Sequence, residues 1–141
     1  MTEAGGPCQL CAEAGGTLVW SDAFCRVVLA EEAEVPGTCR VVLRRHAAEL
    51  SDLTPIERTE LLLVVVAVEA ALRELLLPDK INLASLGNLV PHLHWHVIPR
   101  WRDDRWFPRT IWAEPVREAR PRELPHGFAD ALRSRLGAER A

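Results

Sequence analysis

Three histidines stand at alternate positions in the stretch PHLHWHVIPRW, residues 91–101, with single apolar residues between them. In an extended strand, side chains at every second position point to one face, whereas on a helix they would scatter around the axis. The pattern therefore predicts a β-strand over 93–99 in which His92, His94 and His96 share one face and the intervening residues point to the core. Any fold for this chain has to provide a sheet with one buried face and one face that carries histidines.

Four more stretches rich in β-branched residues predict strands, at 17–20, 24–29, 38–43 and 80–85. One long helix is predicted between the third and the fourth of them. Thr54 can cap its first turn, Pro55 suits the first helical position, and Glu57 completes a capping box. Pro78 ends the helix. This order of elements predicts an α+β fold with a roughly five-stranded antiparallel sheet, and the order alone leaves the sheet topology open.

The middle of the predicted helix, residues 61–68, is apolar on every side. A helix of this kind is buried on more than one face, either in a two-sided core or against another subunit. After Arg100, prolines and charges predict an irregular tail whose aromatic residues cover the sheet or an interface. A short helix is predicted near 125–136.

The chain has 141 residues, the length of one domain. We predict a single domain over 1–141, with a distinct N-terminal segment at 1–14 and a C-terminal tail at 101–141. The net charge is -3, so no bulk positive field attracts nucleic acid or an anionic membrane, and neither is expected as a partner.

The first residues show no basic region followed by an apolar run, and so no secretory signal. The most apolar stretch, residues 61–77, contains Glu69, Arg73 and Glu74, which argue against a membrane span. We therefore expect a cytoplasmic protein.

Four cysteines are present, and in a cytoplasmic chain metal binding or packing is favoured over disulfides. Cys25 and Cys39 lie in apolar, strand-like surroundings and are interpreted as small buried residues. Cys8 and Cys11 form a C-x-x-C pair at a predicted loop. Such a pair is half of a zinc site and needs two more ligands, and the alternative is a pair of free thiols.

Histidines at alternate strand positions lie about 7 Å apart, so each can take a different part. One can bind metal, one can attack an electrophile, and one can stabilise charge. A neutral imidazole is nucleophilic near pH 7, and its phosphoramidate adduct is labile enough to hydrolyse. A protonated neighbour would bind the oxygens of the phosphorus under attack. The alternatives are a solvated polar face or a metal site without catalysis.

The stretch HLHWHVI, residues 92–98, resembles the signature of the histidine triad (HIT) family, His-φ-His-φ-His-φ-φ with φ apolar. VPGTCRVVLRRH, residues 35–46, is similar to an earlier family segment, and the likeness covers about residues 8–112. The resemblance is greatest to a compact bacterial branch. It implies a HIT-like fold, a homodimer, and an enzyme that acts at the α-phosphate of a nucleotide through a phosphohistidine. The implied substrate is a nucleoside phosphoramidate, a dinucleoside polyphosphate or a similar conjugate.

The resemblance also implies roles for single residues. His94 matches the nucleophile, and His96 matches the residue that contacts the phosphate and helps the transfer. His92 matches the first triad position, a metal ligand in zinc-bearing members. Asn88 stands in place of a phosphate-binding glutamine, and Asn82 lies near an asparagine that contacts phosphate or ribose.

In zinc-bearing family members, the positions that match Cys8, Cys11, His46 and His92 form a Cys2His2 site. The resemblance therefore implies a structural zinc ion. It would hold the N-terminal segment to the sheet and would take no part in the reaction.

Three features depart from the family pattern. Thr38 stands where members that cleave diadenosine polyphosphates often have histidine, and Leu89 replaces a hydroxyl residue. The acidic group for the ribose hydroxyls would be Glu31 or Glu32. The departures at Thr38 and Leu89 motivate one alternative to the enzyme, a nucleotide-binding module with little or no turnover. A further alternative is a zinc-stabilised interaction protein.

Overall fold

Five strands form one antiparallel sheet in the computed structural model, which describes residues 8–32 and 34–139. The strands are β1 (Thr17–Ser21), β2 (Cys25–Leu29), β3 (Cys39–Leu43), β4 (Lys80–Ala84) and β5 (His94–Arg100). Their order is β1-β2-β3-β5-β4, so β5 is an inner strand and β4 is an edge. The predicted α+β fold is confirmed. The predicted domain limits and the first half of the N-terminal segment 1–14 lie outside the described residues.

Three helices accompany the sheet: α1 (Gln9–Ala12), α2 (Pro55–Leu76) and α3 (Phe128–Glu139). The start signal of α2 works as predicted, because Thr54 Oγ1 accepts from the Glu57 N–H at 3.2 Å and the Glu57 carboxylate accepts from the Thr54 N–H at 2.9 Å. The helix ends at Leu76 and is capped by Leu77, which has a left-handed φ of 51°. The short α1 was not predicted, since a single turn has no hydrophobic period.

Strand β5 begins later than predicted. His92 lies before it, because the Leu93 N–H donates to the Ala47 carbonyl and the Leu93 carbonyl accepts from Leu43. Only His94 and His96 therefore share the strand face. The predicted common face of all three histidines holds for two of them.

The two faces of the sheet differ. One face packs against α2 and α3 and forms the main core, which includes Val27, Val41 and Val97. On the other face, Val28 and Val42 pack with Leu10 of α1 in a much smaller apolar cluster. Burial of apolar side chains is the largest favourable term in folding. The helix-covered face therefore holds the fold together, and the opposite face is left partly open.

The apolar middle of α2 has one buried side and one exposed side. Leu61, Val64 and Val65 are buried in the core, whereas Leu62, Leu63 and Val66 are 40–54% exposed. The helix thus presents an apolar stripe away from the domain. Among the described helices, none combines the length and apolarity that crossing a membrane requires.

The irregular tail after β5 is fixed by one buried carboxylate. Asp104 accepts from the Arg100 guanidinium at 2.8 and 3.0 Å. It also accepts from the backbone N–H groups of Trp101, Trp106 and Phe107, at 2.9–3.1 Å. A buried carboxylate with this many donors is well compensated for the loss of water. The tail is therefore irregular, as predicted, and still closely held to the sheet.

Candidate active site and metal site

A cavity of about 550 Å³ lies on the open face of the sheet. Its floor is formed by His94 and His96 of β5 and by Arg40 of β3. Its walls come from the turn around α1, the loop 86–90 and the tail residue Trp112. The cavity is large enough for a nucleotide-sized ligand.

The ring of His94 is oriented by the backbone. Its Nδ1 lies 2.6 Å from the His92 carbonyl oxygen. A carbonyl oxygen only accepts hydrogen bonds, so Nδ1 carries the hydrogen and donates it. When the ring carries no second proton, Nε2 keeps its lone pair. The His94 carbonyl accepts from the Ser85 hydroxyl at 2.8 Å, which fixes the strand at this residue. The arrangement suits a nucleophile.

The ring of His96 lies between two other rings. It meets His94 edge-on at a centroid distance of 5.1 Å and Trp112 edge-on at 5.2 Å. Burial, aided by the charges of His94 and Arg40, lowers the pKa of His96 to about 4. At neutral pH this imidazole is therefore neutral. It can donate or accept a hydrogen bond, but it brings no positive charge to the cavity.

The loop 86–90 forms one wall. Gly87 has a φ of +75°, a conformation that residues with a side chain rarely adopt. Asn88 lines the cavity beside the two histidines, and its side-chain amide can donate hydrogen bonds. Leu89 is 96% exposed and offers no polar group. The structure therefore brings Asn88 together with His94 and His96.

Other predicted residues lie elsewhere. The Asn82 side-chain oxygen accepts from Arg100 at 2.7 Å, and Asn82 lines a separate cavity of about 480 Å³ between β4 and the tail. Glu31, Glu32 and the buried Thr38 are described but do not line the His94 cavity. The structure does not bring these four residues to the histidines.

Several lining residues were missed from the sequence. Arg40 is the one charged residue in the strand stretch TCRVVL, but only the pairing of β3 with β5 places it on the face that carries the histidines. Gln9 and Glu13 come from the turn around α1, and Trp112 comes from the irregular tail. No local pattern indicates where these three residues meet the sheet.

The four predicted metal ligands converge beside the cavity. The ligand atoms of Cys8, Cys11, His46 and His92 all lie within 4.8 Å of one another. His92 Nδ1 is 3.3 Å from Cys8 Sγ, 3.5 Å from Cys11 Sγ and 3.3 Å from His46 Nδ1. Tetrahedral bonds of about 2.0–2.3 Å place ligand atoms about 3.3–3.8 Å apart. The four side chains therefore fit a metal ion.

The orientation of His92 supports the same conclusion. Its Nε2 lies 2.7 Å from the Leu43 carbonyl oxygen and therefore donates to it. This contact leaves the Nδ1 lone pair facing the two cysteines, as the second contact of a metal-bound histidine usually does. Burial lowers the pKa of His92, which favours the neutral ring that a metal needs. This group can bind a metal ion.

The neutral state of His96 predicts how stability depends on pH. Above pH 6.5 the ring is neutral in both the folded and the unfolded chain. As the pH falls, the unfolded chain takes up a proton, while the folded ring stays neutral down to a pKa of about 4. We expect this difference to remove about 1–2 kcal/mol of stability between pH 6.5 and pH 4, after allowance for solvent screening.

Thermal unfolding of the wild type and of His96→Gln between pH 7.5 and pH 4.5 tests this expectation. Other groups titrate equally in both proteins, so the difference between their Tm values isolates His96. The wild type should lose more Tm than the variant as the pH falls. Parallel curves would show that the folded ring titrates normally.

Residues 12–103 match the family profile of the HIT domain. The chain is 35% identical over 87 residues to an AP-4-A phosphorylase of Mycobacterium tuberculosis, which covers 57% of this chain and 45% of that protein. It is 33% identical over 75 residues to an asymmetrical bis(5'-nucleosyl)-tetraphosphatase of Schizosaccharomyces pombe, which covers 50% and 41%. The chain thus spans less than half of the length of these curated relatives.

A solved structure is similar over most of the chain. The crystal structure of a histidine triad protein from Bradyrhizobium japonicum superimposes with a TM-score of 0.74 at 31% identity. The superposition covers 87% of this chain and 92% of that one. The likeness therefore extends over most of both chains.

Proposed function

Because this chain belongs to the histidine triad (HIT) family, we propose that it is a nucleotide hydrolase or transferase that acts at the α-phosphate through His94. One observation carries the proposal. The Nδ1–H of the His94 ring donates to the His92 carbonyl, and the ring lies on the floor of a nucleotide-sized cavity. An imidazole held in this way is prepared for nucleophilic attack.

The reaction proceeds in two displacements. Nε2 of His94 attacks the α-phosphorus, the N–P bond forms, and the bond from phosphorus to the leaving oxygen breaks. The leaving group departs with the electron pair of that bond. Water or another acceptor then attacks the phosphorus, the N–P bond breaks, and the ring of His94 is restored. The Asn88 amide and the neutral His96 ring donate hydrogen bonds to the phosphoryl oxygens.

The names of the two curated relatives favour dinucleoside tetraphosphates as the substrate class. Nucleoside phosphoramidates and similar nucleotide conjugates share the same reacting group, a nucleotidyl phosphorus with a leaving group attached. The relatives differ in the acceptor, since a phosphorylase uses phosphate and a tetraphosphatase uses water. We propose that the same His94 adduct serves either acceptor in this chain.

Product analysis tests the proposal. The protein is incubated with diadenosine tetraphosphate, with and without inorganic phosphate. Attack by His94 releases ATP and leaves an adenylyl group on the ring. Water then gives AMP, and phosphate gives ADP. Release of ATP with either second product supports the enzyme, whereas nucleotide binding without any product would support the non-catalytic binding module instead.

The metal is proposed to be a structural zinc ion held by Cys8, Cys11, His46 and His92. When bound, it would cross-link the turn around α1 to the segment before β5. The four side chains would fill all four coordination positions of a tetrahedral ion, which is typical of structural zinc sites. The ligands other than His92 lie far from the reacting ring in sequence, and none of the four lines the cavity.

We further propose that two copies form a homodimer through α2 and β4. Leu62, Leu63 and Val66 form the exposed stripe of α2. Leu83 lies on the edge strand β4, points to the same face as Ile81 in the core, and is also exposed. An apolar stripe beside an open strand edge is suited to pairing with an identical surface.

The substitution Val66→Glu is expected to convert the dimer into a monomer. Each copy would bury one glutamate charge in the apolar interface, and an unpaired buried charge is costly. Light scattering after size-exclusion chromatography gives the mass directly. Leu18→Glu is the matched control, since Leu18 is exposed on β1 at the opposite edge of the sheet. A monomeric wild type, or equal dissociation in both variants, would contradict this interface.

A further inference from the structure

The cavity floor contains a cation that the sequence pattern did not reveal. Arg40 of β3 is the direct cross-strand partner of His96 of β5. Directly opposed residues in an antiparallel pair project to the same face. The Arg40 side chain accordingly lines the same cavity as His94 and His96.

Arg40 is also the only lysine or arginine among the described residues that line this cavity. No carboxylate in the described part of the chain lies within ion-pair distance of it. His96, which faces Arg40 across the two strands, is neutral at neutral pH because burial lowers its pKa to about 4. The permanent charge on the cavity floor therefore belongs to Arg40.

The hydrogen bonds of Arg40 leave most of its donors free. Its Nη1 donates to the Gly15 carbonyl at 2.5 Å, and the described residues provide no acceptor for its other N–H groups. Arg26, on the same sheet face, is used differently. It donates to the carbonyls of Leu10, Glu13 and Ala14 at 2.7–2.9 Å and does not line the cavity. One arginine thus anchors the N-terminal turn, and the other faces the ligand space.

We infer that Arg40 binds the non-bridging oxygens of the phosphoryl group that His94 attacks, and so belongs to the catalytic residues of this site. The inference rests on the proposed function. A guanidinium presents two parallel N–H groups that match two phosphoryl oxygens, and its contact with Gly15 holds the plane in place. It supplies the charge that stabilises the phosphorus under attack, and neutral hydrogen-bond donors complete the set.

Calorimetric titration of the intact protein with AMP and with adenosine separates phosphate binding from base and ribose binding. We expect Arg40→Gln to weaken AMP binding by about 10- to 100-fold, with adenosine binding changed by less than about twofold. Arg40→Lys keeps the positive charge but lacks the two parallel N–H groups of a guanidinium, and it should recover part of the AMP affinity. Arg26→Gln is the control for loosening of the N-terminal turn, and it should affect AMP and adenosine equally.

Three results would overturn the inference: unchanged AMP affinity in Arg40→Gln, equal loss of AMP and adenosine affinity in Arg40→Gln, or no AMP binding by the wild type. The proposed function fails separately. If AMP binding depends on Arg40 but diadenosine tetraphosphate is not cleaved, the phosphate-binding role of Arg40 is supported and the proposed enzymatic function is refuted. If cleavage depends on His94 but Arg40→Gln leaves the AMP affinity unchanged, the proposed function is supported and the role of Arg40 is refuted.

Discussion

His94→Ala is expected to lower kcat for cleavage of diadenosine tetraphosphate by at least about 10⁴-fold, because it removes the proposed nucleophile. His96 is the neighbouring imidazole, its ring meets Trp112 edge-on, and its proposed role is to assist the transfer. Release of ATP over time gives the rate. Trapping of a phosphoramidate on the wild-type protein, absent from the variant, identifies the adduct.

The matched control is His126→Ala, because His126 is exposed in the tail and does not line the cavity. It should retain wild-type activity. His94→Ala should still bind AMP, since the phosphate donors on the cavity floor are unchanged. If His94→Ala kept more than about a hundredth of the wild-type rate, covalent catalysis by this ring would be excluded.

Cys11→Ser is expected to destabilise the fold by about 3 kcal/mol or more, and so to lower Tm by about 10 °C, because it removes one of four ligands from the proposed zinc site. The effect is smaller than in a zinc finger, since the hydrophobic core under α2 forms without metal. Removal of metal from the wild type by a chelator should give a similar shift in Tm.

Ala12→Ser is the control for this substitution, because Ala12 is the exposed neighbour of Cys11 in the same helix. Elemental analysis should find about one zinc ion per chain in the wild type and in the control, and almost none in Cys11→Ser. A wild-type protein that contains no zinc and keeps its Tm in chelator would refute the structural role.

The elements of the fold could be predicted because their signals are local. Thr54 and Glu57 cap α2 through contacts three residues apart, and most strands are marked by their β-branched residues. The order of the strands could not be predicted, since hydrogen bonding between β3 and β5 joins segments more than fifty residues apart in the chain. The prediction that His92 shares the strand face of the other two histidines was wrong for the same reason. The contact of its ring with the Leu43 carbonyl belongs to tertiary structure.

The site shows the same division. His94 and His96 were predicted from a continuous stretch of sequence and Asn88 from the family resemblance, and all three line one cavity. The metal ligands were predicted from the resemblance to a known family, not from spacing alone. Trp112 and Glu13 reach the cavity from the tail and the N-terminal turn. Their positions depend on packing, including the Arg26 contacts and the buried Asp104, that no short pattern encodes.

His92 serves two centres with different parts of one residue. Its ring joins the cysteine and histidine cluster, and its carbonyl oxygen fixes the tautomer of His94. A variant that lost the cluster could remain folded and yet allow this carbonyl to drift, so that the reacting ring would sample the wrong tautomer. Related chains without the C-x-x-C pair would depend on the remaining contacts at this point, such as the hydrogen bonds of the His92 ring to the Leu43 carbonyl and of the Leu93 N–H to the Ala47 carbonyl.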